Sequence, residues 1–117
     1  MRKLFAGCVA VATCVSCAAS AAEYAPLNCA QASSPSERTI CKSYELGQKE
    51  ARMATLYGVA TALVAMGQRG AIQDKQRVWL KKREECGRRV GCLNERYNAR
   101  IRQLNSVIDS IASRGPY

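Results

Sequence analysis

The stretch from Gln76 to Leu104 constrains the fold of this chain more than any other, because it has the pattern of two helices joined by a short turn. Large side chains recur there at steps of three and four residues, which is the spacing of one helix face. The first face carries Gln76, Trp79, Arg83 and Cys86, and the second carries Leu93, Tyr97, Ile101 and Leu104. The pattern predicts a helical hairpin onto which the preceding chain packs.

Two cysteines, Cys86 and Cys92, flank the predicted turn. A disulfide can join them if the backbone brings their Cα atoms within about 7 Å. Such a bond would fix the two helices antiparallel and leave a cationic tip at one end. The tip would present Arg88, Arg89 and Val90 between two glycines.

The first 22 residues have the composition of a secretory signal peptide. Arg2 and Lys3 precede an apolar segment, and small residues before Glu23 suit cleavage after Ala21 or Ala22. We therefore expect residues 1–22 to be removed on export, leaving one domain at residues 23–117 in the periplasm or outside the cell.

Two other fates of this N-terminal segment are secondary alternatives. A transmembrane anchor would need a longer apolar run than the segment offers. A lipid could attach to Cys8, Cys14 or Cys17, but the residues that precede these cysteines suit lipidation poorly.

Of the seven cysteines, four lie beyond the expected cleavage site, at Cys29, Cys41, Cys86 and Cys92. An even number in a small exported domain indicates two disulfides, and four cysteines allow three connectivities. Pairing Cys29 with Cys41 and Cys86 with Cys92 is the simplest of these. A zinc site is the less favoured alternative, because the chain has no histidine and none of these four cysteines is part of a C-x-x-C motif.

The helix signals along the chain predict an all-α fold. Ser34, Pro35 and Glu37 form a capping box for a short helix that reaches about Cys41. The three longer predicted helices begin at Ser43, Ala71 and about Gly91, with Gly67 and Gly70 ending the first of them. The predicted architecture is a small helical bundle, braced by disulfides, with three longer helices and one short N-terminal helix.

The second predicted helix has one apolar stripe, which we expect to be buried. Its members are Leu46, Met53, Leu56, Tyr57, Ala60, Leu63 and Val64.

The chain is strongly basic for its length of 117 residues. Without Arg2 and Lys3, sixteen basic residues would face nine acidic ones, a net charge of about +7. This charge predicts attraction to an anionic envelope surface such as phospholipid, lipopolysaccharide or wall polymer. Solubility alone is the simpler explanation for most individual basic residues.

The residue types present argue against catalysis. No histidine is available as a general base, the cysteines are expected to be paired, and no two carboxylates are spaced for hydrolysis. We therefore expect a protein that is not an enzyme, with no catalytic residue, metal site or cofactor.

Arg83 falls on an apolar stripe beside Trp79, so its guanidinium is expected to be partly buried and to need a carboxylate partner. Glu37 and Glu50 are the candidate partners, and an ion pair between helices is the favoured role. The aromatic residues Tyr57, Trp79 and Tyr97 lie on similar stripes and are expected in the core rather than on a sugar-binding surface.

These residues, taken in order, resemble the lysozyme inhibitor LprI-like N-terminal domain family of small exported bacterial domains. The resemblance spans Cys29 to Leu104 and rests on four cysteines combined with the motif Gln-x-x-Trp-x-x-x-Arg. The matching segments are Cys29–Ala30, Ser34–Glu37, Ile40–Cys41, Glu45–Tyr57, Gln76, Trp79–Leu80, Arg83, Cys86–Gly87, Cys92–Leu93, Tyr97, Arg100–Ile101 and Leu104. The chain departs from the family at two places. The family usually has Asp in the second helix, where this chain has Glu50. The family usually has Asp-Pro after the second cysteine, where this chain has Ser43-Tyr44.

The resemblance implies a protein partner, a lysozyme-like hydrolase that cleaves peptidoglycan. Glycosidase clefts carry two catalytic carboxylates, which an inserted Arg88 or Arg89 could contact. Because a protein of charge +7 is repelled by a basic lysozyme, a neutral or acidic hydrolase is the better electrostatic match.

The alternative hypothesis is an envelope-binding module that uses its basic helix faces. Nucleic-acid binding ranks last, since no recognisable motif is present. The oligomeric state is not predicted by the sequence.

Overall fold

The computed structural model of the chain describes residues 24–114, which form a single helical bundle with no strand among them. A one-turn 3-10 helix at Cys29–Gln31 precedes four α-helices. These are α1 (Pro35–Lys42), α2 (Tyr44–Leu63), α3 (Met66–Glu85) and α4 (Val90–Ala112). The predicted all-α class, with three long helices and a short N-terminal one, is confirmed. The expected signal peptide lies outside the described residues.

Serine side chains begin the first two helices, as the capping signals predict. The Ser34 Oγ accepts a 3.1 Å hydrogen bond from the Glu37 N–H, and Pro35 occupies the first helical position. Ser43 is the single residue between α1 and α2. Its N–H donates to the Ile40 carbonyl at 3.2 Å, while its Oγ accepts from the Leu46 N–H at 3.2 Å. One residue therefore ends one helix and caps the next.

The boundary between α2 and α3 differs from the prediction. The chain turns at Val64 and Ala65, which are both extended, and α3 already contains Gly67 and Gly70. The turn is stabilised by the buried Val64 side chain and by Arg69, whose Nε donates to the Thr61 carbonyl at 2.8 Å. The turn thus depends on these contacts, and the two glycines do not end a helix.

Leu63 is also placed differently from the prediction, since its side chain is 54% exposed. The buried stripe of α2 continues through Tyr57, Ala60, Thr61 and Val64. Leu63 precedes Val64 by one position and is therefore rotated away from the stripe by about 100°. It falls on the solvent side at the end of the helix.

Both predicted disulfides are confirmed. The Cα atoms of Cys29 and Cys41 lie 5.6 Å apart, and those of Cys86 and Cys92 lie 5.5 Å apart. The first bond attaches the N-terminal segment to α1. The second spans the turn from α3 to α4, where Gly87 has a φ of +55° that favours glycine.

The core lies between α2, α3 and α4, and α2 packs most extensively against α4. The hairpin faces predicted from the sequence are buried: Gln76, Trp79, Arg83 and Cys86 on the α3 side, and Leu93, Tyr97, Ile101 and Leu104 on α4.

No described helix combines the length and the hydropathy that crossing a bilayer requires. The two disulfides are typical of proteins in oxidising compartments.

Candidate functional site

The turn between α3 and α4, which we call the tip, consists of residues 87–90. Arg88 is exposed, and its side chain makes no hydrogen bond or ion pair with any of residues 24–114. Val90, the first residue of α4, is 48% exposed beside it. The tip therefore presents one free guanidinium and one apolar side chain on a turn closed by the Cys86–Cys92 disulfide.

Arg89 has a different environment from its neighbour. Its Nε donates to the Cys86 carbonyl at 3.2 Å, and its Nη2 donates to the Glu85 carbonyl at 3.2 Å. These carbonyls belong to the last turn of α3, where backbone acceptors lack intrahelical partners. Arg89 thus folds back to cap α3, and of the two tip arginines only Arg88 extends freely from the turn.

A buried polar network lies directly below the tip and is centred on Arg83, one helical turn before Cys86. Arg83 is 4% exposed, and its guanidinium faces three carboxylates. Its Nη2 lies 2.9 Å from Glu84 and 3.9 Å from Glu37, and its Nη1 lies 3.5 Å from Glu50. Both carboxylates proposed from the sequence are in contact, and Glu84 is a third that the helix pattern did not identify.

Glu50 is the main acceptor of this network. Its Oε1 accepts hydrogen bonds from the Tyr24 hydroxyl at 2.6 Å and from the Tyr97 hydroxyl at 2.8 Å. Its Oε2 is 3.4 Å from the Leu27 N–H. The network therefore joins the N-terminal segment, α2, α3 and α4 at one buried point.

The network shifts the pKa values of its members in the directions that its charges require. Burial and the neighbouring Glu50 carboxylate raise the pKa values of Tyr24 and Tyr97, so both phenols stay protonated. Burial works against the charge of Glu84, but hydrogen bonds from Ser36 and Arg83 lower the pKa of this carboxyl. The pKa of Arg83 is raised despite its burial, so its positive charge is permanent.

The three aromatic residues predicted for the core are all buried. Trp79 and Tyr97 meet edge to face with centroids 5.0 Å apart, and the Arg83 guanidinium lies 5.8 Å from the Trp79 ring centre. Tyr57 packs edge to face on Tyr24 at 5.9 Å. These rings fill the space around the network and do not form an exposed aromatic surface.

A second buried arginine, Arg100, was not identified as a site residue from the sequence. It is 2% exposed, and its three hydrogen bonds all go to neutral acceptors. Its Nε donates to the Gln76 side chain at 2.8 Å, its Nη1 to Gln103 at 3.2 Å and its Nη2 to the Ile72 carbonyl at 3.2 Å. Its position on the apolar stripe of α4, three residues after Tyr97, was the signal that could have found it.

Among residues 24–114 no group of three or more histidine, cysteine or acidic side chains is placed to hold a metal ion. The carboxylates of the network are engaged by arginine, tyrosine and serine donors rather than aimed at an open cleft. The arrangement as a whole suits a rigid support below an exposed tip.

Comparison of the chain with family models, with curated proteins and with solved structures gives no significant match. The resemblance to the LprI-like family therefore stays a prediction, and the function must be argued from the tip and its surroundings.

Proposed function

We propose that this chain is a non-catalytic, exported protein that binds and inhibits a lysozyme-like hydrolase of peptidoglycan. In this proposal the tip enters the substrate cleft of the enzyme, and the Arg88 guanidinium pairs with a catalytic carboxylate. The inhibitor blocks the cleft and takes no part in chemistry.

The observation that carries the proposal is the free Arg88 guanidinium on a rigid turn. Arg83 and its three carboxylates fix the last turn of α3, and the Cys86–Cys92 disulfide closes the connection to α4. A side chain on such a support loses little conformational freedom on binding, apart from its own rotamers. Arginine is also the cation best suited to a carboxylate, because its planar fork can donate two parallel hydrogen bonds.

The three tip residues have separate roles in this proposal. Arg88 supplies the charge, and the half-exposed Val90 packs against the apolar wall of the cleft. Arg89 shapes the tip by capping α3 and contributes no direct contact.

The test is inhibition of muramidase activity by the oxidised protein, purified after export of the full chain. A basic and a non-basic lysozyme are assayed at low and at physiological salt. Arg88→Ala is expected to raise the inhibition constant by about 30-fold or more, since an arginine at the centre of an interface contributes about 2 kcal/mol. The matched control is Arg52→Ala, which removes an exposed arginine of α2 outside the tip. Equal inhibition by both variants, or none by the native protein, would contradict the proposal.

A second candidate function is binding to an anionic envelope surface. It is favoured by the exposed surface of α3, where Lys75, Lys81 and Lys82 form no ion pair with another described residue. Binding of this kind should weaken steeply as salt rises, because exposed charges are screened within about 10 Å at 0.1 M salt. Sedimentation with anionic vesicles across a salt series distinguishes it from inhibition, which should persist at physiological salt.

A further inference from the structure

A cavity of about 430 Å³ opens between α3 and α4, where it is lined from Ile72 to Lys82 on α3 and from Arg100 to Val107 on α4. Its apolar lining includes Ile72, Trp79, Leu104 and Val107. This volume lies near the lower end of the range for ligand pockets, so the cavity has room for one slender apolar molecule. The cavity is separate from the tip, so what it binds does not depend on the function proposed above.

The buried Arg100 lines this cavity and has no carboxylate partner among the described residues. A guanidinium carries five N–H groups. Three of those of Arg100 donate to Gln76, Gln103 and Ile72, and Tyr57 also acts on its charge. Its Nη1 hydrogen bond ends on Gln103, an exposed residue that also lines the cavity. An exposed side chain, which can move aside, therefore holds this nitrogen of the guanidinium.

The surroundings of the Arg100 guanidinium contrast with those of the Arg83 guanidinium. Arg83 is surrounded by three carboxylates, whereas Arg100 is equally buried and faces only neutral oxygens. A buried charge without a counterion is costly, and an anion that enters the site would remove that cost. Burial also lowers the pKa of Arg100, and the nearby Tyr57 opposes this shift only in part.

The mouth of the cavity adds to the attraction for an anion. Lys75 and Lys82 stand at the rim beside Val78, which is 54% exposed. Of the described residues that line the cavity, only Asp74 is acidic, and its carboxylate forms an ion pair with Arg77 at the surface. The site thus combines an apolar interior, a cationic rim and a buried guanidinium.

We propose that the α3–α4 cavity binds a single-chain amphiphile with one carboxylate, such as a medium-chain fatty acid. The carboxylate takes the place of the Gln103 side chain as the acceptor for Arg100 Nη1, and the alkyl chain lies against Trp79, Leu104 and Val107. The cavity is too small for a lipid with two acyl chains, so the occupant is a free acid and not a bilayer phospholipid.

Trp79 is the only tryptophan of the chain and lines the cavity, so its fluorescence reports occupancy. The native protein is titrated with dodecanoate, dodecanol and dodecyltrimethylammonium below their micelle concentrations, and affinities are measured by calorimetry. We expect saturable binding of dodecanoate with a change in Trp79 emission, at least tenfold tighter than either of the other two. Equal affinity for all three would overturn the proposal, as would a response only to anionic vesicles.

Two pairs of variants test the role of charge in the cavity. Arg100→Met is expected to weaken dodecanoate binding at least tenfold, while Arg102→Gln, which removes an exposed charge elsewhere on α4, leaves it unchanged. Val78→Glu adds a negative charge at the rim without disturbing the core, and should weaken binding about tenfold. Its control is Val59→Glu, at an exposed position of α2. If Arg100→Met does not fold, the comparison of the two valine variants decides, and equal affinities there would refute the proposal.

Discussion

At the residue scale, the two buried arginines show how the same side chain serves two different purposes. Arg83 is held by carboxylates from three places in the chain and links segments of the fold. Arg100 is held by three hydrogen bonds to neutral oxygens and has no carboxylate partner among the described residues. The first arrangement is complete within the protein, and the second is the one for which we propose an anionic ligand.

The Arg83 network should make a large contribution to stability, which Glu50→Gln tests. This variant removes the charge that faces Arg83 and weakens the acceptor of two tyrosine hydroxyls. Breaking one member of a buried ion pair costs 3–5 kcal/mol, and because Glu84 remains we expect a loss of about 3 kcal/mol. Urea denaturation measures the free energy of unfolding.

The matched control for this variant is Glu45→Gln. Glu45 is exposed on the same helix and pairs with Lys49 at 3.2 Å, a surface contact that contributes about 0–1 kcal/mol. Similar losses of unfolding free energy in Glu50→Gln and Glu45→Gln would mean that the buried network stabilises the fold no more than a surface ion pair does.

The sequence could predict part of this network for a clear reason. Arg83 follows Trp79 on an apolar stripe, and a buried guanidinium needs carboxylates, so Glu37 and Glu50 could be proposed as its partners. Tyr24 could not be found in the same way, because the N-terminal segment has no periodicity and its docking depends on tertiary contacts. Glu84 looked like a solvated residue since it follows the stripe by one position.

At the element scale, the starts of α1 and α2, which have side-chain caps, were predicted better than the start of α3, which has none. Ser34 and Ser43 fix the starts of α1 and α2 through local hydrogen bonds. No side chain caps α3 at Ala65, and its start is fixed by the burial of Val64 and by the hydrogen bond from Arg69 to Thr61 of α2. A boundary set by tertiary contacts leaves only a weak signal in the sequence, which is why the glycines were misread.

The glycines of the hairpin should respond to substitution in opposite directions. Gly87 has a φ of +55°, so Gly87→Ala should destabilise the fold by about 1–2 kcal/mol through backbone strain alone. Gly70 lies inside α3 with open space at its Cβ position, so Gly70→Ala should stabilise it by roughly 0.5–1 kcal/mol.

Thermal denaturation followed by circular dichroism measures both effects, and each variant is the control of the other. If the two substitutions shift the melting temperature in the same direction, the backbone assignment at Gly87 is wrong.

At the scale of the whole molecule, the N-terminal segment is fastened to the bundle at two points. The Cys29–Cys41 disulfide holds it to α1, and the hydroxyl of Tyr24 reaches Glu50 in the core. The first link is covalent, whereas the second depends on a protonated phenol. The attachment of this segment should therefore depend on pH in the alkaline range.

We expect the native protein to lose more stability above pH 10 than the Tyr24→Phe variant. The folded state raises the pKa of Tyr24, so above the ordinary value of 10.0 the unfolded chain releases a proton that the folded chain retains. The free energy of unfolding then falls with rising pH. The difference in free energy of unfolding between the native protein and Tyr24→Phe should therefore decrease by about 1.4 kcal/mol between pH 9 and pH 11.

Urea denaturation at several pH values provides this measurement. Tyr44→Phe is the control. Because Tyr44 is 84% exposed, the stability of this variant should fall with pH in parallel with that of the native protein. A constant difference between the native protein and Tyr24→Phe across this pH range would show that the phenol does not couple folding to pH.

The meeting of four chain segments at Glu50 also has an evolutionary consequence. A mutation that removes Glu50 leaves Arg83 short of a partner and two buried hydroxyls without their acceptor, so a single change at any of these positions is penalised by the others. Drift at Glu50, Arg83, Tyr24 and Tyr97 is thus expected to be concerted, with neutral replacements arising as a set. Exposed Arg88 is under no such constraint from the fold, and its identity is free to follow whatever the tip binds.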